Sequence, residues 1–205
     1  MLLNRGADAG YGRALYSAAF QGSYSATMIL LDNSADINIE AGWYGNALQA
    51  AVAGRNEAIV KLLLDKGAHV NARGGEYGNA LQVAACWGTE AIINLLLDRG
   101  AHVNAQGGEY GNALQAAAYQ GYKAVVKLLL DRGAHVNAQG GEYGNALQAA
   151  AYKGHEAVVK LLLDKGAIVN AKGGEYGNAL QAAVDGGNEV VIDLLIERGA
   201  VEEPI

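Results

Sequence analysis

Apolar and polar positions along this chain follow a helical rhythm that restarts every 33 residues. In the stretch Tyr143–Glu175 (YGNALQAAAYKGHEAVVKLLLDKGAIVNAKGGE), Leu147, Ala150 and Ala151 fall at i, i+3, i+4 spacing and give a first short helix one apolar face. Asn145 stands just before that run, and its side-chain oxygen suits the free N–H groups of a first turn. Gly154 closes the helix where a left-handed residue costs least. A second helix is predicted from about Glu156 to Lys165, with an acid in its first turn and a base in its last, both favourable for the helix dipole. Val158, Val159, Leu161, Leu162 and Leu163 give it a wide apolar face, and Gly166 ends it. Ala167–Glu175, with Gly173-Gly174 at its centre, reads as a turn projecting away from the helix pair. Neither helix can bury its face alone, and the alanine-rich first helix admits close neighbours. The copies must therefore stack.

The same text recurs from Tyr11, Tyr44, Tyr77, Tyr110 and Tyr176, and Tyr110–Glu142 differs from Tyr143–Glu175 at only six positions. A fixed period of this length predicts an all-α solenoid. The expected organisation is one domain, 1–205, with full repeats at 11–43, 44–76, 77–109, 110–142 and 143–175. A closing repeat at 176–205 lacks its projecting turn and carries the added acids Asp185, Asp193 and Glu197. Met1–Asp8 matches the tail of a second helix and its closing turn, so 1–10 reads as a partial repeat with a truncated finger. The first full repeat is the least regular, with Arg13 for Asn, Tyr16 for Gln, Ser34 for the helix-ending Gly, and Met28. In the next, Arg55 stands where the other copies have glycine.

A turn, a short helix opened by a capped leucine, Gly-His, V-V-x-L-L-L and G-A-x-V-N-A at this period resembles the ankyrin repeat, over about residues 1–201. The usual T-P-L-H becomes Asn-Ala-Leu-Gln (Asn145–Gln148 and its equivalents), which keeps cap and leucine but drops the proline and histidine. The wording GGEYGNALQAA…GHEAVVKLLLD…GA-VNA is similar to ankyrin arrays of filamentous fungi, which often form the C-terminal sensor of NACHT-type, NLR-like signalling proteins. The resemblance implies a non-catalytic protein-interaction module, a sensor or scaffold segment of a larger signalling protein. It also implies that inner helices and finger tips line a concave binding face.

Comparison among the copies separates scaffold from surface. The leucine at Leu15, Leu48, Leu81, Leu114, Leu147 and Leu180 and the alanine at Ala18, Ala51, Ala84, Ala117, Ala150 and Ala183 never change, which marks them as core. Two adjacent positions near the end of the first helix vary most: Phe20-Gln21, Ala53-Gly54, Cys86-Trp87, Tyr119-Gln120, Tyr152-Lys153 and Asp185-Gly186. These pairs, with Trp43, Glu76, Glu109, Glu142 and Glu175 on the fingers, are the positions that the resemblance puts on the concave face. Phe20, Gln21, Trp43, Glu76, Trp87, Glu109, Tyr119, Gln120, Glu142, Tyr152, Lys153 and Glu175 are the candidate partner-binding residues. The aromatics are of the kind enriched at interface hot spots, and the glutamate row suits a basic protein partner. The competing reading is that these rings merely cover alanine-rich helices. The invariant Tyr44, Tyr77, Tyr110, Tyr143 and Tyr176 read instead as a structural ladder between fingers.

Composition narrows the chemistry. Net charge is −6 without any lysine- or arginine-rich block, which speaks against nucleic acid. Apolar runs are only a few residues long, so no membrane span or signal pattern is expected. The single cysteine, Cys86, cannot form an internal disulfide, which fits a reducing cytoplasm or nucleus. His69, His102 and His135 recur at one repeat position, but a row at helix spacing suits tetrahedral zinc poorly, and turn capping is the expected role. No nucleophile–histidine pair or phosphate-binding Gly-Lys-Ser/Thr loop occurs, so neither a catalytic residue nor a cofactor or metal is expected. Two other readings stay open: a structural spacer that self-associates end to end through the poorly capped N-terminal end, where the partial repeat cannot cover the first full one, and a small-molecule or metal-binding site on the His69/His102/His135 row.

Overall fold

A computed structural model describes residues 3–201, with side chains from Gly10 onward. The backbone divides into two compact units at His102/Val103. In the first, α1 (Leu3–Gln21) pairs with α2 (Tyr24–Asp32), α3 (Ala47–Ala53) with α4 (Glu57–Asp65), and α5 (Ala80–Cys86) with α6 (Glu90–Asp98). In the second, the pairs are α7 (Ala113–Gln120) and α8 (Lys123–Asp131), α9 (Ala146–Tyr152) and α10 (Glu156–Asp164), and α11 (Ala179–Asp185) and α12 (Glu189–Glu197). Within each unit the short helices pack on one another in sequence order, as do the longer ones behind them.

Asparagine starts each short helix from α3 onward. Asn46, Asn79, Asn112, Asn145 and Asn178 are extended, and each side chain accepts the N–H of the glutamine three residues later. At the first of these, Gln49 Oε1 accepts the Asn46 N–H in return and completes a capping box. The longer helices lack a local side-chain cap. Instead Asn56 and Asn188, at the N-termini of α4 and α12, reach to the preceding copy and donate to the last carbonyls of its first helix, on Ala19 and Phe20 of α1 and on Ala151 and Tyr152 of α9.

Leucine and alanine divide the packing work. Leu15, Leu48 and Leu81 in the first unit, and Leu114, Leu147 and Leu180 in the second, are buried, with Ile59, Leu63, Ile93, Val126, Leu129, Val159 and Leu162 supplied by the outer helices. Ala50, Ala51, Ala84, Ala117, Ala150 and Ala183 are fully enclosed. Burying a leucine of this kind is worth about 1.5–3 kcal/mol.

Polar side chains fix the register from copy to copy. Asn71 Oδ1 accepts the His102 N–H at 2.8 Å, and its Nδ2 donates to the Gly100 carbonyl at 2.9 Å. Asn104 makes the same two bonds with His135 and Gly133, and Asn137 with Ile168 and Gly166. The glutamine that replaces the usual histidine is a second clamp. Gln49 Nε2 donates to the Gly74 carbonyl at 2.9 Å, and Gln115 Nε2 to the carbonyls of Gly140 and Gly144 at 2.7 and 2.9 Å. The fingers are tight glycine turns, closed by bonds such as Gly140 N–H to the Gly144 carbonyl at 2.8 Å. Gly141 is left-handed (φ +63°), and a Cβ there would overlap the backbone of Tyr110, so only glycine lets adjacent fingers touch.

Three expectations are corrected. Residues 3–10 do not form a helix tail with a closing turn; α1 runs unbroken from Leu3 to Gln21. The physical reason is local: Arg13 replaces the capping asparagine and no Gly-Gly turn precedes Tyr11, so nothing interrupts the helix. Gly12 then packs so closely on Ile39 that a Cβ would overlap it. Met1, Leu2, the side chains of residues 3–9, and residues 202–205 of the closing repeat lie outside the described residues. Secondly, the second helix of the repeat stops one residue before its base: α10 ends at Asp164 with Lys165 as its C-cap, and α12 at Glu197 with Arg198. Thirdly, the imidazoles of His69, His102 and His135 are exposed, and what holds each turn is the histidine's backbone N–H, bonded to the asparagine of the preceding copy.

Candidate partner-binding surfaces

In the first unit, the ends of the short helices and the finger tyrosines form an aromatic stack. Phe20 lies on Tyr44 with ring centroids 5.6 Å apart, and Tyr44 lies on Tyr77 at 5.8 Å. The Tyr16 hydroxyl accepts the Tyr44 N–H at 3.3 Å. Burial raises the Tyr44 phenol above its ordinary pKa, with Tyr16 and Cys86 adding to the effect. Phe20 nonetheless keeps 42% of its surface in solvent, and Gln21 beside it is exposed.

Trp87 sits at the C-cap of α5 with the Arg55 guanidinium 5.4 Å from its ring centroid. Its Nε1 is buried without a hydrogen-bond partner. Arg55 holds a left-handed backbone (φ +57°) at the position where Gly22, Gly88, Gly121, Gly154 and Gly187 do the same without a Cβ. Such strain costs roughly 1–2 kcal/mol. On the fingers, the Glu76 N–H donates to the Trp43 carbonyl at 3.1 Å, which sets the two side by side, and Trp43 is 65% exposed.

The second unit carries a ladder of tyrosines. Tyr110, Tyr143 and Tyr176 stack with centroids 6.4 and 6.2 Å apart. Tyr119 wedges against Tyr110 and Tyr143 at 5.2 and 4.7 Å, and Tyr152 against Tyr143 and Tyr176 at 5.8 and 4.6 Å. The Lys153 ammonium lies 4.5 Å from the Tyr119 centroid and 5.4 Å from that of Tyr152. Backbone bonds from Glu142 to Glu109 and from Glu175 to Glu142 line up three exposed finger glutamates.

These neighbours move the proton affinities. Burial first, then the Tyr119 hydroxyl and the Glu142 charge, push the Tyr143 phenol well above its usual value. Tyr176 is pushed up chiefly by the Tyr152 hydroxyl, with burial and the charges of Glu175 and Glu142 adding to it. Lys153 is raised mainly by its hydrogen bond with Tyr119, against the opposing effect of burial.

The candidate residues therefore fall into two groups, Phe20, Gln21, Trp43, Glu76 and Trp87 in one unit and Glu109, Tyr119, Gln120, Glu142, Tyr152, Lys153 and Glu175 in the other. The division between variable aromatics and invariant tyrosines does not survive folding: Phe20, Tyr119 and Tyr152 stack on the finger tyrosines and pack while they present an edge. Arg55 belongs to the first group although the sequence marked it only as an irregularity. The sign that could have found it is a side chain where every other copy needs glycine. Among the described residues no three His, Cys, Asp or Glu side chains are placed to hold a metal ion, and no helix is long and apolar enough to cross a membrane.

Comparison with known proteins agrees with this geometry. The family model for ankyrin repeats (3 copies) matches residues 1–74, 73–140 and 114–203. The human ASB11 ankyrin repeat domain, a crystal structure, is similar with a TM-score of 0.78 and 30% identity, over 91% of this chain and 84% of that one. No curated protein matches the chain at the same standard. The fold is an all-helical ankyrin-repeat solenoid, an architecture that generally mediates protein–protein interaction, and the chain belongs to the ankyrin-repeat family.

Proposed function

We propose that this chain is a non-catalytic recognition module that binds a basic protein through the face where short-helix ends meet finger tips. One observation carries the reading: Phe20 is anchored on Tyr44 and keeps 42% of its surface in solvent, and Tyr119 and Tyr152, packed on the finger tyrosines, stay half-buried rather than enclosed. Rings held in this way lose little conformational freedom on binding, so less ordering entropy opposes association. The finger carboxylates Glu76, Glu109, Glu142 and Glu175 beside them suit a positively charged partner. The repeat wording further supports a place as the sensor or scaffold segment of a fungal NLR-like signalling protein, inside the cell.

The test is affinity capture from fungal lysate with the wild type and a Trp43→Ala/Glu142→Gln/Glu175→Gln variant, whose helicity is first confirmed by circular dichroism. These side chains are exposed, so the variant is expected to fold and to lose a partner that the wild type holds. Equal capture by both overturns the reading.

A second reading rests on a separate observation. Val184, Val190 and Ile196, on α11 and α12, are each about half exposed or more. Another helix pair stacked on α11 and α12 would cover them, which supports end-to-end association. An elution volume that falls as concentration rises, and is restored by Val190→Glu, is the expected sign.

A further inference from the structure

We propose that Arg55 is a receptor for a carboxylate side chain of the partner, held ready by Trp87 and by its own left-handed backbone. The inference rests on the protein-binding reading above and goes beyond it, because it gives the partner an acidic residue where it meets the first unit.

Arg55 is held at both ends. Its N–H donates to the Val52 carbonyl at 2.9 Å and the Asn56 N–H to that of Ala51 at 2.9 Å, which closes α3 and turns the chain at φ +57°. Asn56 Nδ2 donates to the Ala19 and Phe20 carbonyls, at 3.1 and 3.0 Å, and draws this turn so close to α1 that a Cβ at Gly54 would overlap the Phe20 carbonyl oxygen. From that fixed point the side chain crosses to the next copy and sets its guanidinium 5.4 Å from the Trp87 ring centroid. Gly22, Gly88, Gly121, Gly154 and Gly187 make the same turn at φ +67° to +77°, so the backbone has no need of arginine there. Strain retained in one copy of six is the mark of a side chain that is used.

The guanidinium keeps its donors for a ligand. Lys66, Arg99, Lys165 and Arg198 each pair with an aspartate of the preceding copy. Arg55 is exposed, and among the described residues no carboxylate pairs with it. The indole covers one side of the guanidinium and leaves its edge, a planar fork of N–H donors that matches the two oxygens of a carboxylate. The turn Gly54–Glu57 holds no second base, which suits a singly charged carboxylate better than a doubly charged phosphate. Ring and backbone already fix the fork, so binding orders little that was free. One exposed pair of this kind adds at most about fivefold in affinity, so Arg55 selects the partner's residue at one point of a larger interface.

The test titrates the full chain, isotope-labelled at nitrogen, with acetylated, amidated tetraglutamate and, as neutral control, tetraglutamine. The chain has two tryptophans, so the indole N–H signals of Trp43 and Trp87 are read separately, with the arginine Nε–H signals beside them. Tetraglutamate is expected to move the Trp87 and Arg55 signals saturably, while Trp43 and the exposed Arg13 and Arg73 stay in place, and tetraglutamine to move none. The net charge of −6 repels the probe as a whole, so a saturable response at Trp87 reports a local site. Arg55→Gly takes the residue of the other copies and keeps the turn, and it should abolish the Trp87 response. Arg55→Lys keeps the charge without the fork and should weaken it about two- to threefold. An undiminished Trp87 response in either variant, or shifts shared by Arg13 and Arg73, overturns the proposal. So does a Trp87 response to inorganic phosphate at lower concentration than to tetraglutamate, which would give the place to a phosphate group. If tetraglutamate moves nothing while the capture experiment still loses its partner, this receptor fails and the protein-binding reading stands.

Discussion

The two units use one scaffold to present different surfaces. Both are held by the same asparagine caps, buried leucines and asparagine clamps. On the first unit Phe20 lies on Tyr44 and Tyr44 on Tyr77, and a strained Arg55 covers Trp87. On the second, five tyrosines interlock, Lys153 lies over two of them, and the fingers carry a row of glutamates. The whole difference arises at the two variable positions closing each short helix and at the glycine that follows them. A repeat can therefore change what it recognises without altering what holds it together.

The largest effect should be blind to this difference. Leu48→Ala in the first unit and Leu147→Ala in the second each remove a fully buried side chain at the same scaffold position. Each is expected to cost about 2–5 kcal/mol, read from urea midpoints at constant slope. Values differing by more than the cavity variation itself would show that the scaffold is not shared.

Next in size are the clamps. Asn71→Ala and Asn137→Ala each lose one accepted and one donated bond between consecutive copies. About 1–3 kcal/mol is expected for either, at about 0.5–1.5 kcal/mol for each of the two exposed bonds lost. Arg55→Gly goes the other way. Relief of the left-handed backbone should stabilise the first unit by about 1 kcal/mol, while Gly154→Ala, at the equivalent place in the second (φ +72°), should destabilise by a similar amount. Unchanged stability in Arg55→Gly would mean that stacking on Trp87 offsets the strain.

Much of this was legible in the sequence because a 33-residue period exposes every structural choice several times. Asn145, Leu147, Gly154 and Gly166 each imply a local geometry that is found. What the sequence could not show is contact across copies. Phe20 meets Tyr44, and Tyr152 meets Tyr176, through the stacking of neighbours, so a ring that varies and a ring that never varies looked like separate features. For the same reason glutamine's long reach to the next finger was hidden in a motif that seemed only to have lost its histidine. The unbroken α1 was hidden differently: the period supplied a turn by analogy where no capping residue or glycine pair encodes one.

The smallest expected effect concerns the ladders and appears only in alkali. Tyr44 in the first unit and Tyr143 in the second both have phenols raised above the ordinary value near 10, Tyr143 more so, through burial and its Tyr119 and Glu142 neighbours. A raised folded-state value means that the folded chain holds its proton after the unfolded chain has released it. The associated stability is complete below pH 10 and declines as pH climbs through the folded value. Half a unit above pH 10 the loss from Tyr143 should be under about 1 kcal/mol, and at pH 8 there should be none. Tyr143→Phe removes the titrating group, so its stability should fall less steeply than wild type between pH 9.5 and about 11, the ordinary tyrosine range. Tyr44→Phe should flatten the profile less. Equal slopes for the two variants would mean that the tyrosines around Tyr143 enclose its phenol no better than Phe20 and Tyr77 enclose that of Tyr44.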